Sequence, residues 1–356
     1  MKTKQKIFRS NGITFLMIVL AYLIVEAFLQ SGNMSSLMRG LLVPLCIYSI
    51  MAVSLNLVVG VSGELSLGHA GFMCVGAFAS ATWSMLMKGS GLPTGLVFFA
   101  ALLIGALSAA LCGFLIGIPV LRLKGDYLAI VTLAFGEIIK NLINALYFGV
   151  DSRGMHFSLK DNMALGLTTG GQTIIKGAQG ITGTPKLSSF TVGIVLLLLV
   201  LFVVLNFMNS RAGRAVMAIR DNRIAAESIG LNVTGYKLLT FTLSAAIAGI
   251  GGVLYAHNLS SLQALPKNFG YNQSIMILVF VVLGGIGNMR GSVIAAVVLT
   301  LLPELLRGLN DYRMLIYAVV LILMMLFTSA PGLIQLRERI GQRFRGGLAK
   351  QGKEGV

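Results

Sequence analysis

Two ionisable residues lie inside an otherwise apolar stretch of the chain. Glu137 and Lys140 are three residues apart, so a helix would place them on one face. Glu137 follows Asp126 by a helical rise of about 16 Å, which is close to the middle of a bilayer if the stretch spans one. Because a charge at that depth is costly, the pair indicates either part of a transport pathway or gate, or an ion pair that locks helix packing.

Three further polar residues lie near the ends of apolar stretches. Ser66 and His69 are three residues apart where one stretch begins, and they would either cap and pack a helix end or form part of an inner gate. Asn56 can join two helices by hydrogen bonds or face a pathway. Together with Glu137 and Lys140, these residues are the candidates for a translocation pathway or gate.

Residues for catalysis, nucleotide binding or metal binding form no recognisable pattern. The sequence has no G-x-x-x-x-G-K-[ST] loop that would cradle ATP phosphates. Its 3 histidines are scattered, and its 3 cysteines lie in apolar stretches without a C-x-x-C pair. We therefore predict that the chain is not an enzyme, holds no metal or cofactor, and serves in transport.

The composition requires a lipid-facing surface. Of the 356 residues, 56% are hydrophobic and 11% are charged, whereas soluble domains carry about 25% charged residues. A soluble globular protein needs more charge and a disordered chain needs less hydrophobicity, so both classes are excluded. The net charge of +16 would suggest nucleic acid in a soluble protein, but in a membrane protein it is typical of basic cytoplasmic loops.

Apolar stretches predict an all-α membrane bundle of about ten helices, since each crossing needs about 20 apolar residues. The predicted spans are 12–30, 41–60, 67–87, 94–120, 126–148, 188–208, 237–256, 272–287, 292–306 and 314–330. Residues 1–30 resemble a signal peptide, but their apolar run is too long, and we interpret them as a retained first helix. The eighth and ninth spans meet at Gly284–Gly291, where one broken helix or a re-entrant pair is an alternative.

The distribution of Lys and Arg predicts that both termini are cytoplasmic. With the N-terminus inside, these residues divide roughly two to one in favour of the cytoplasmic segments. The chain would then have a cytoplasmic tail, 1–11, a single membrane domain, 12–330, and a basic cytoplasmic tail, 331–356. The membrane domain includes a Gly-rich external loop, 149–187, which we call the outer loop, and a basic cytoplasmic loop, 209–236, which we call the inner loop.

The inner loop carries the signals of a short capped helix. Asp221 or Asn222 can cap its start, and Gly230 suits its end. Its small apolar face consists of Ala225, Ala226 and Ile229. A short exposed helix of this kind can fit a groove on a partner protein, while the alternative is a basic loop that only fixes the topology.

Four stretches of the sequence resemble, in order, the permeases of ABC importers for branched-chain amino acids. They are Ser66–Phe72, Leu121–Ile139, Gly213–Gly230 and Gly284–Gly291. The resemblance implies the larger of two sister permeases, which moves Leu, Ile and Val into the cell across the inner membrane of a bacterium. It also implies partners: the sister permease, two ATP-binding subunits on the cytoplasmic side, an external solute-binding protein and the lipid bilayer, but no nucleic acid.

The resemblance assigns roles to particular residues. Those implied to couple to the ATPase are Arg214, Arg220, Asp221, Asn222, Arg223, Ala225, Ala226, Ile229 and Gly230. Apart from the resemblance, the Gly-rich outer loop either contacts the external binding protein or is only a flexible connector, and the candidates for that contact are Gly180, Ile181, Thr182 and Gly183. Two alternative functions stay open, namely the same machine with urea or a short amide as cargo, and an ion-coupled carrier that needs no ATPase.

Overall fold

The computed structural model describes residues 2–323 except 32–33, 89–90, 124, 152, 162, 168–170, 307, 309–311, 313–314 and 317. The helices are α1 (Lys2–Gln30), α2 (Ser36–Asn56), α3 (His69–Leu86), α4 (Thr94–Val120), α5 (Asp126–Ala145), α6 (Phe190–Asn209), α7 (Arg211–Asp221), α8 (Arg223–Ser228), α9 (Val233–Asn258), α10 (Pro266–Phe269), α11 (Tyr271–Gly284) and α12 (Met289–Leu305). A π-helix, Leu57–Ser62, directly continues α2.

The helices agree with the predicted spans over most of the described chain. Each of the first nine spans overlaps a helix, and the helices long and apolar enough to cross a membrane are Ser36–Ser62, Thr94–Val120, Asp126–Ala145, Phe190–Asn209 and Val233–Asn258. Of the tenth span, 315–316 and 318–323 are helical, while 324–330 and the tail 331–356 lie outside the described residues. The protein is thus a mostly helical, multi-pass membrane protein; the number ten and the cytoplasmic termini stay predictions.

The junction of the eighth and ninth spans is a turn between two separate helices. Residues 285–288, which we call the glycine turn, connect α11 to α12. Gly285 and Gly287 have φ values of +93° and +82°, which favour glycine because a side chain is strained in that region. Residues 285–288 therefore separate two helices and do not continue one helix.

The outer loop is folded into strands, which the all-α prediction did not include. Strands β1 (Tyr147–Asp151), β2 (Gly154–Ser158) and β3 (Gln172–Lys176) form an antiparallel sheet in the order β2-β1-β3. Strand β4 (Ile181–Thr182) pairs with β5 (Ser261–Leu262). Because β1 starts at Tyr147, α5 ends at Ala145, short of the predicted 148. Phe148 and Phe157 are paired across the sheet with ring centroids 4.7 Å apart, a stabilising type of cross-strand pair.

Close helix packing through glycines forms the core, where α9 packs against α2, α3 and α4. A Cβ added to Gly76 would lie 2.5 Å from the Cα of Gly249, and one added to Gly249 would lie 2.6 Å from the Cβ of Ala109. Small residues of this kind let helix backbones approach and gain van der Waals contact where lipid supplies no hydrophobic drive. All contacts described below lie in one compact unit that ends at Val297.

Candidate functional site

Two short, capped helices form the centre of the inner loop. Ser210 caps α7, its Oγ accepting from the Gly213 N–H at 3.1 Å, and Asn222 caps α8, its Oδ1 accepting from the Ala225 N–H at 3.0 Å. Such caps satisfy N–H groups that a helix start leaves unpaired. Helix α8 is the one predicted from the sequence, with Asn222 rather than Asp221 as its cap. Helix α7 is not among the sequence predictions.

The glycine that the sequence indicates lies two residues after the end of α8. Gly230 has a φ of +84°, and its N–H donates to the carbonyl of Glu227 at 3.0 Å. The N–H of Leu231 donates to the carbonyl of Ala226 at 3.1 Å. A left-handed residue directly after a helix is typically glycine, so both ends of α8 are fixed by local sequence.

Ala226 points into the protein. It is buried with Ile219 of α7 and Val233 of α9 in one apolar cluster. By contrast, Ile224 is 80% exposed and Ile229 is 75% exposed. The structure corrects the predicted apolar face, because Ala226 anchors α8 to its own chain and Ile224 takes its place on the exposed side.

The predicted coupling arginines bind groups of their own chain, and Arg214 and Arg223 do so within the inner loop. The guanidinium of Arg214 donates to the carbonyl of Asn209 at 2.7 Å. Arg223 forms an ion pair with Glu227 at 2.8 Å, and both of these side chains are more than two-fifths exposed. An exposed pair at this spacing contributes little to stability, so Arg223 and Glu227 are accessible to a partner at little cost.

Arg220 links the inner loop to the membrane helices. Its Nη1 donates to the carbonyl of Gly60 in the π-helix at 2.6 Å, and its Nη2 donates to Asp221 Oδ1 at 2.9 Å. Gly63, which follows the π-helix with a φ of +74°, lies against the same side chain, since a Cβ there would be 2.6 Å from Arg220 Cγ. The arginine therefore reaches out of the inner loop and holds the end of a membrane helix.

The same stretch of α2 and the π-helix contacts the glycine turn. Asn56 is fully buried; its Oδ1 accepts from the Gly287 N–H at 2.8 Å, and its Nδ2 donates to Ser292 Oγ at 2.7 Å. Gly60 is so close to Gly287 that a Cβ on Gly60 would overlap the Gly287 nitrogen. Of the two roles considered for Asn56, joining helices or facing a pathway, these contacts favour the first.

Glu137 and Lys140 form an ion pair in α5. The Lys140 side chain is 7% exposed and the Glu137 side chain is 25% exposed. The second carboxylate oxygen of Glu137 accepts from the N–H of Tyr271, the first residue of α11, at 2.8 Å. The carboxylate thus meets two positive partners, the ammonium and the N-terminal end of a helix dipole, and it keeps some access to its surroundings.

His69 joins three helices through two serines. Its Nε2 lies 3.2 Å from Ser54 Oγ of α2 and 2.9 Å from Ser244 Oγ of α9, and all three residues are fully buried. Ser66 is buried as well, and its hydroxyl has no hydrogen-bond partner among the described residues. Since α3 starts after Gly68 without a side-chain cap, Ser66 does not have the capping contact considered from the sequence.

Part of the predicted contact segment in the outer loop is buried. Ile181 is fully buried and pairs with Leu262, while Gly180 has a φ of +68° and no room for a Cβ against the Leu262 carbonyl. Thr182 and Gly183 are exposed. The structure corrects the prediction for Gly180 and Ile181, which are packed inside. Large apolar side chains exposed elsewhere in the outer loop are Met155, Phe157, Leu159 and Met163.

Sequence reasoning missed three residues that the site depends on. Ile224 is exposed although it adjoins the predicted apolar face, Gly60 accepts the Arg220 hydrogen bond, and Ser244 binds His69. A helical wheel of residues 223–229 would separate Ile224 from Ala226, so that signal is available in the sequence. The other two are long-range contacts that no local pattern encodes.

The described residues hold no group of three or more His, Cys, Asp or Glu side chains that could bind a metal ion. Cys46 and Cys74 are buried free thiols, and Cys112 is a partly buried one.

Comparison with known proteins gives a consistent result. Residues 37–328 match the family described as branched-chain amino acid transport system / permease component. The chain is 37% identical over 314 residues, 85% of its length and 71% of the relative's, to the high-affinity branched-chain amino acid transport system permease protein LivM of Escherichia coli. It is 26% identical to the fructose import permease protein FruG of Bifidobacterium longum over 82% of its length and 80% of the relative's. Identity to LivH of Escherichia coli, a permease protein of the same high-affinity system, is 23% over 78% of the chain and 88% of the relative.

Proposed function

The chain belongs to the family of branched-chain amino acid transport permease components, and from this we propose that it moves Leu, Ile and Val through the membrane as the permease subunit of an ABC importer. The observation that carries the proposal is the 37% identity to LivM along 85% of the chain. Identity to LivH is lower, which identifies the chain with the larger, LivM-type subunit. It would act in the inner membrane of a bacterium.

The chain would need partners for energy and for substrate capture. Its sequence has no P-loop for ATP, so we assign ATP hydrolysis to two separate subunits on the cytoplasmic side. A LivH-type sister permease would complete the membrane part, and an external solute-binding protein would deliver the amino acid. The chain's similarity to both LivM and LivH supports a pair of related permeases.

Helix α8 would dock on the ATPase. Support comes from Ile224 and Ile229, two exposed apolar side chains within and directly after α8, and from the exposed charged pair of Arg223 and Glu227. The buried Ala226 fixes α8 to α7 and α9, so a force on α8 reaches the membrane helices instead of being lost in a flexible loop. A short helix that is fixed to its own chain and exposes apolar side chains is suited to a groove on a partner.

The pathway would run along α5 and α11. The exposed face of α4 is aliphatic, with Leu103, Leu107 and Leu111 facing outward, as expected for lipid contact. The exposed face of α5 is also largely apolar, with Ile138 and Leu142, but it includes Asn141 beside the partly exposed Glu137. Polar groups at membrane depth are favoured only where protein or water meets them, so this face suits the interface with a second permease and the cavity between them.

The external binding protein would contact the outer loop. Of the four residues predicted for this contact, Thr182 and Gly183 are accessible. Elsewhere in the outer loop, Phe157 of β2 is 66% exposed and Met163 is 92% exposed. Exposed large apolar groups outside the spanning helices are typical of protein–protein contact surfaces, which supports a docking role for this loop.

Transport by a defined complex tests the proposed function. Proteoliposomes would contain this chain, its sister permease and both ATPase subunits, with the external binding protein outside. We expect uptake of labelled leucine that requires ATP and is competed by isoleucine and valine but not by urea or fructose. The control is the same vesicle with an ATPase subunit inactivated in its own P-loop.

Two results would contradict this proposal in different ways. Competition by urea or a short amide, with none by valine, would mean that the protein belongs to an ABC importer with a different substrate. Leucine uptake by this chain alone, driven by an ion gradient without ATP, would instead identify a secondary carrier and remove the ATPase partners.

A further inference from the structure

We propose that Arg220 and the π-helix Leu57–Ser62 transmit the movement of the inner loop to the glycine turn between α11 and α12. The inference rests on the proposed function, because it concerns how force from the ATPase reaches the membrane helices. Arg220 is then a positioning residue, which acts through the π-helix and not on the substrate.

The first link is the hydrogen bond from Arg220 to Gly60. Near its end a helix has carbonyl groups that lack intrahelical partners. Gly60 is two residues from the end of the π-helix, and the Arg220 guanidinium donates to its carbonyl at 2.6 Å. A cation is favourable at this pole of a helix. Arg220 therefore holds the end of the π-helix by charge and by a directed hydrogen bond.

The second link runs from the π-helix to the glycine turn. Asn56 is one turn of helix before Gly60, and its amide binds both the Gly287 N–H and Ser292 Oγ. The backbones of Gly60 and Gly287 are in direct contact, with no room for a side chain on Gly60. With so little free space, a displacement at Gly60 has to displace the turn as well.

The third link is an apolar cluster that joins α7, α8 and α9, so that these helices move together. Ile219 precedes Arg220 in α7 and is buried in one cluster with Ala226 of α8 and Val233 of α9. A push on α8 therefore moves the backbone of α7 next to Arg220. Lys237, in the first turns of α9, forms an ion pair with Glu64, just after the π-helix. This pair is a second link between the start of α9 and the end of the π-helix.

The π-helix itself is suited to a change of shape. A π-helix is bonded i→i+5, one residue further than an α-helix, and single turns of this kind are frequent at functional sites. Residues 57–62 are all buried, so the segment is held by its neighbours and not by solvent. Movement of Arg220 would shift this local register, and Asn56 would carry the shift to Gly287.

The test compares substitutions of Arg220 in the complete complex. Arg220→Met keeps the length of the side chain and removes the donor, while Arg220→Lys keeps a cation that can donate to Gly60. Arg211→Met is the matched control, because Arg211 is an exposed arginine at the start of α7. The quantity measured is ATP hydrolysed per leucine transported in proteoliposomes.

We expect Arg220→Met to raise the ATP used per leucine about tenfold while ATP hydrolysis continues. Arg220→Lys should recover most of the coupling, and Arg211→Met should match the unaltered chain. Unchanged coupling in Arg220→Met would overturn the inference. Failure of both Arg220 variants to assemble with the ATPase would also overturn it, because Arg220 would then be a direct contact.

A distance measurement separates transmission from a purely structural role. Spin labels at Ser228→Cys in α8 and Ile286→Cys in the glycine turn, both exposed positions, would be placed in a chain whose Cys46, Cys74 and Cys112 are replaced by Ala. ATP with vanadate should change the label separation in the unaltered complex and leave it unchanged with Arg220→Met. An equal change in both would refute the inference, while an unaltered complex without ATP-dependent uptake would instead refute the proposed function.

Discussion

Lys140 and Ala226 illustrate how single residues in this protein depend on what surrounds them. Lys140 carries a charge in a buried position, and the carboxylate of Glu137, three residues earlier, stabilises that charge by an ion pair. Ala226 is a small apolar residue whose burial fixes the inner loop. In both cases the environment gives the residue a definite role, and the type of residue alone does not. Substitutions can therefore separate structural roles from roles in transport.

The ion pair of α5 can be tested with a double substitution. Glu137→Gln alone leaves the Lys140 ammonium buried without its partner, and breaking a buried pair in this way costs about 3–5 kcal/mol. Adding Lys140→Met removes the stranded charge, so the double variant should regain most of the thermal stability. We expect stability in detergent to recover in the double variant while leucine uptake by the complex stays below one tenth of normal.

Full recovery of uptake in that double variant would contradict a pathway role and leave only helix packing. The comparison needs Glu137→Gln, Lys140→Met and the double variant at equal membrane abundance. Equal abundance matters because a destabilised permease is lost from the membrane, and uptake then falls only because less protein is present.

The inner loop offers a second matched pair of substitutions. Ala226→Asp would put an unpaired charge among Ile219 and Val233, and a buried polar group without a partner costs about 2–7 kcal/mol. Ile229→Asp changes an exposed side chain, so the fold should be intact. We expect Ala226→Asp to lower the unfolding temperature, and Ile229→Asp to keep that temperature but lose binding of the ATPase in a pull-down from detergent. Normal ATPase binding by Ile229→Asp would contradict docking through α8.

At the scale of elements, α9 and its glycine contacts hold the bundle together. Gly76 of α3 meets the backbone of Gly249 so closely that a methyl group would force the two helices apart. Backbone atoms cannot move aside as a flexible side chain can. The fit between α3, α4 and α9 is therefore set by the absence of side chains at the contact points.

Two alanine substitutions test this packing. Gly76→Ala should destabilise the protein by about 1–3 kcal/mol, the usual cost of overpacking. Gly40→Ala in α2, where no atom lies within 4 Å of the added Cβ, should be neutral or raise stability by about 0.5–1 kcal/mol because alanine favours helix more than glycine. Thermal unfolding in detergent measures both, and equal stability of the two variants would contradict the packing argument.

At the scale of the whole molecule, the proposal requires the outer loop and α8 to lie on opposite sides of the membrane. The basic residues predict this arrangement. Met163 in the outer loop and Ser228 in α8 are exposed positions for a test. With the three native cysteines replaced, Met163→Cys in intact cells with a permeable outer membrane should react with a membrane-impermeant maleimide. Ser228→Cys should react only after the inner membrane is opened.

Labelling of both positions from outside would refute the predicted topology and, with it, docking of α8 on a cytoplasmic ATPase. If only Ser228→Cys were labelled from outside, the protein would have the opposite orientation in the membrane. The cysteine-free chain is the control, and it should remain unlabelled under every condition.

The sequence alone determined the membrane class, the position of most helices and the family. Apolar runs have to be long enough to cross lipid, and local signals such as Asn222 and Gly230 fix the ends of α8, so these features can be predicted from neighbouring residues. The resemblance of four short stretches was sufficient for the family, which the match over residues 37–328 confirms.

Only the tertiary structure decided which residues face inward and which meet across the fold. Ala226 and Ile224 are two residues apart and differ completely in exposure, because the position of α8 on α7 and α9 selects the buried side. Arg220 and Gly60 are far apart in the chain, and so are Glu137 and Tyr271. Contacts of this kind, like the sheet in the outer loop, depend on how separate segments are brought together, and no local spacing of residues encodes that.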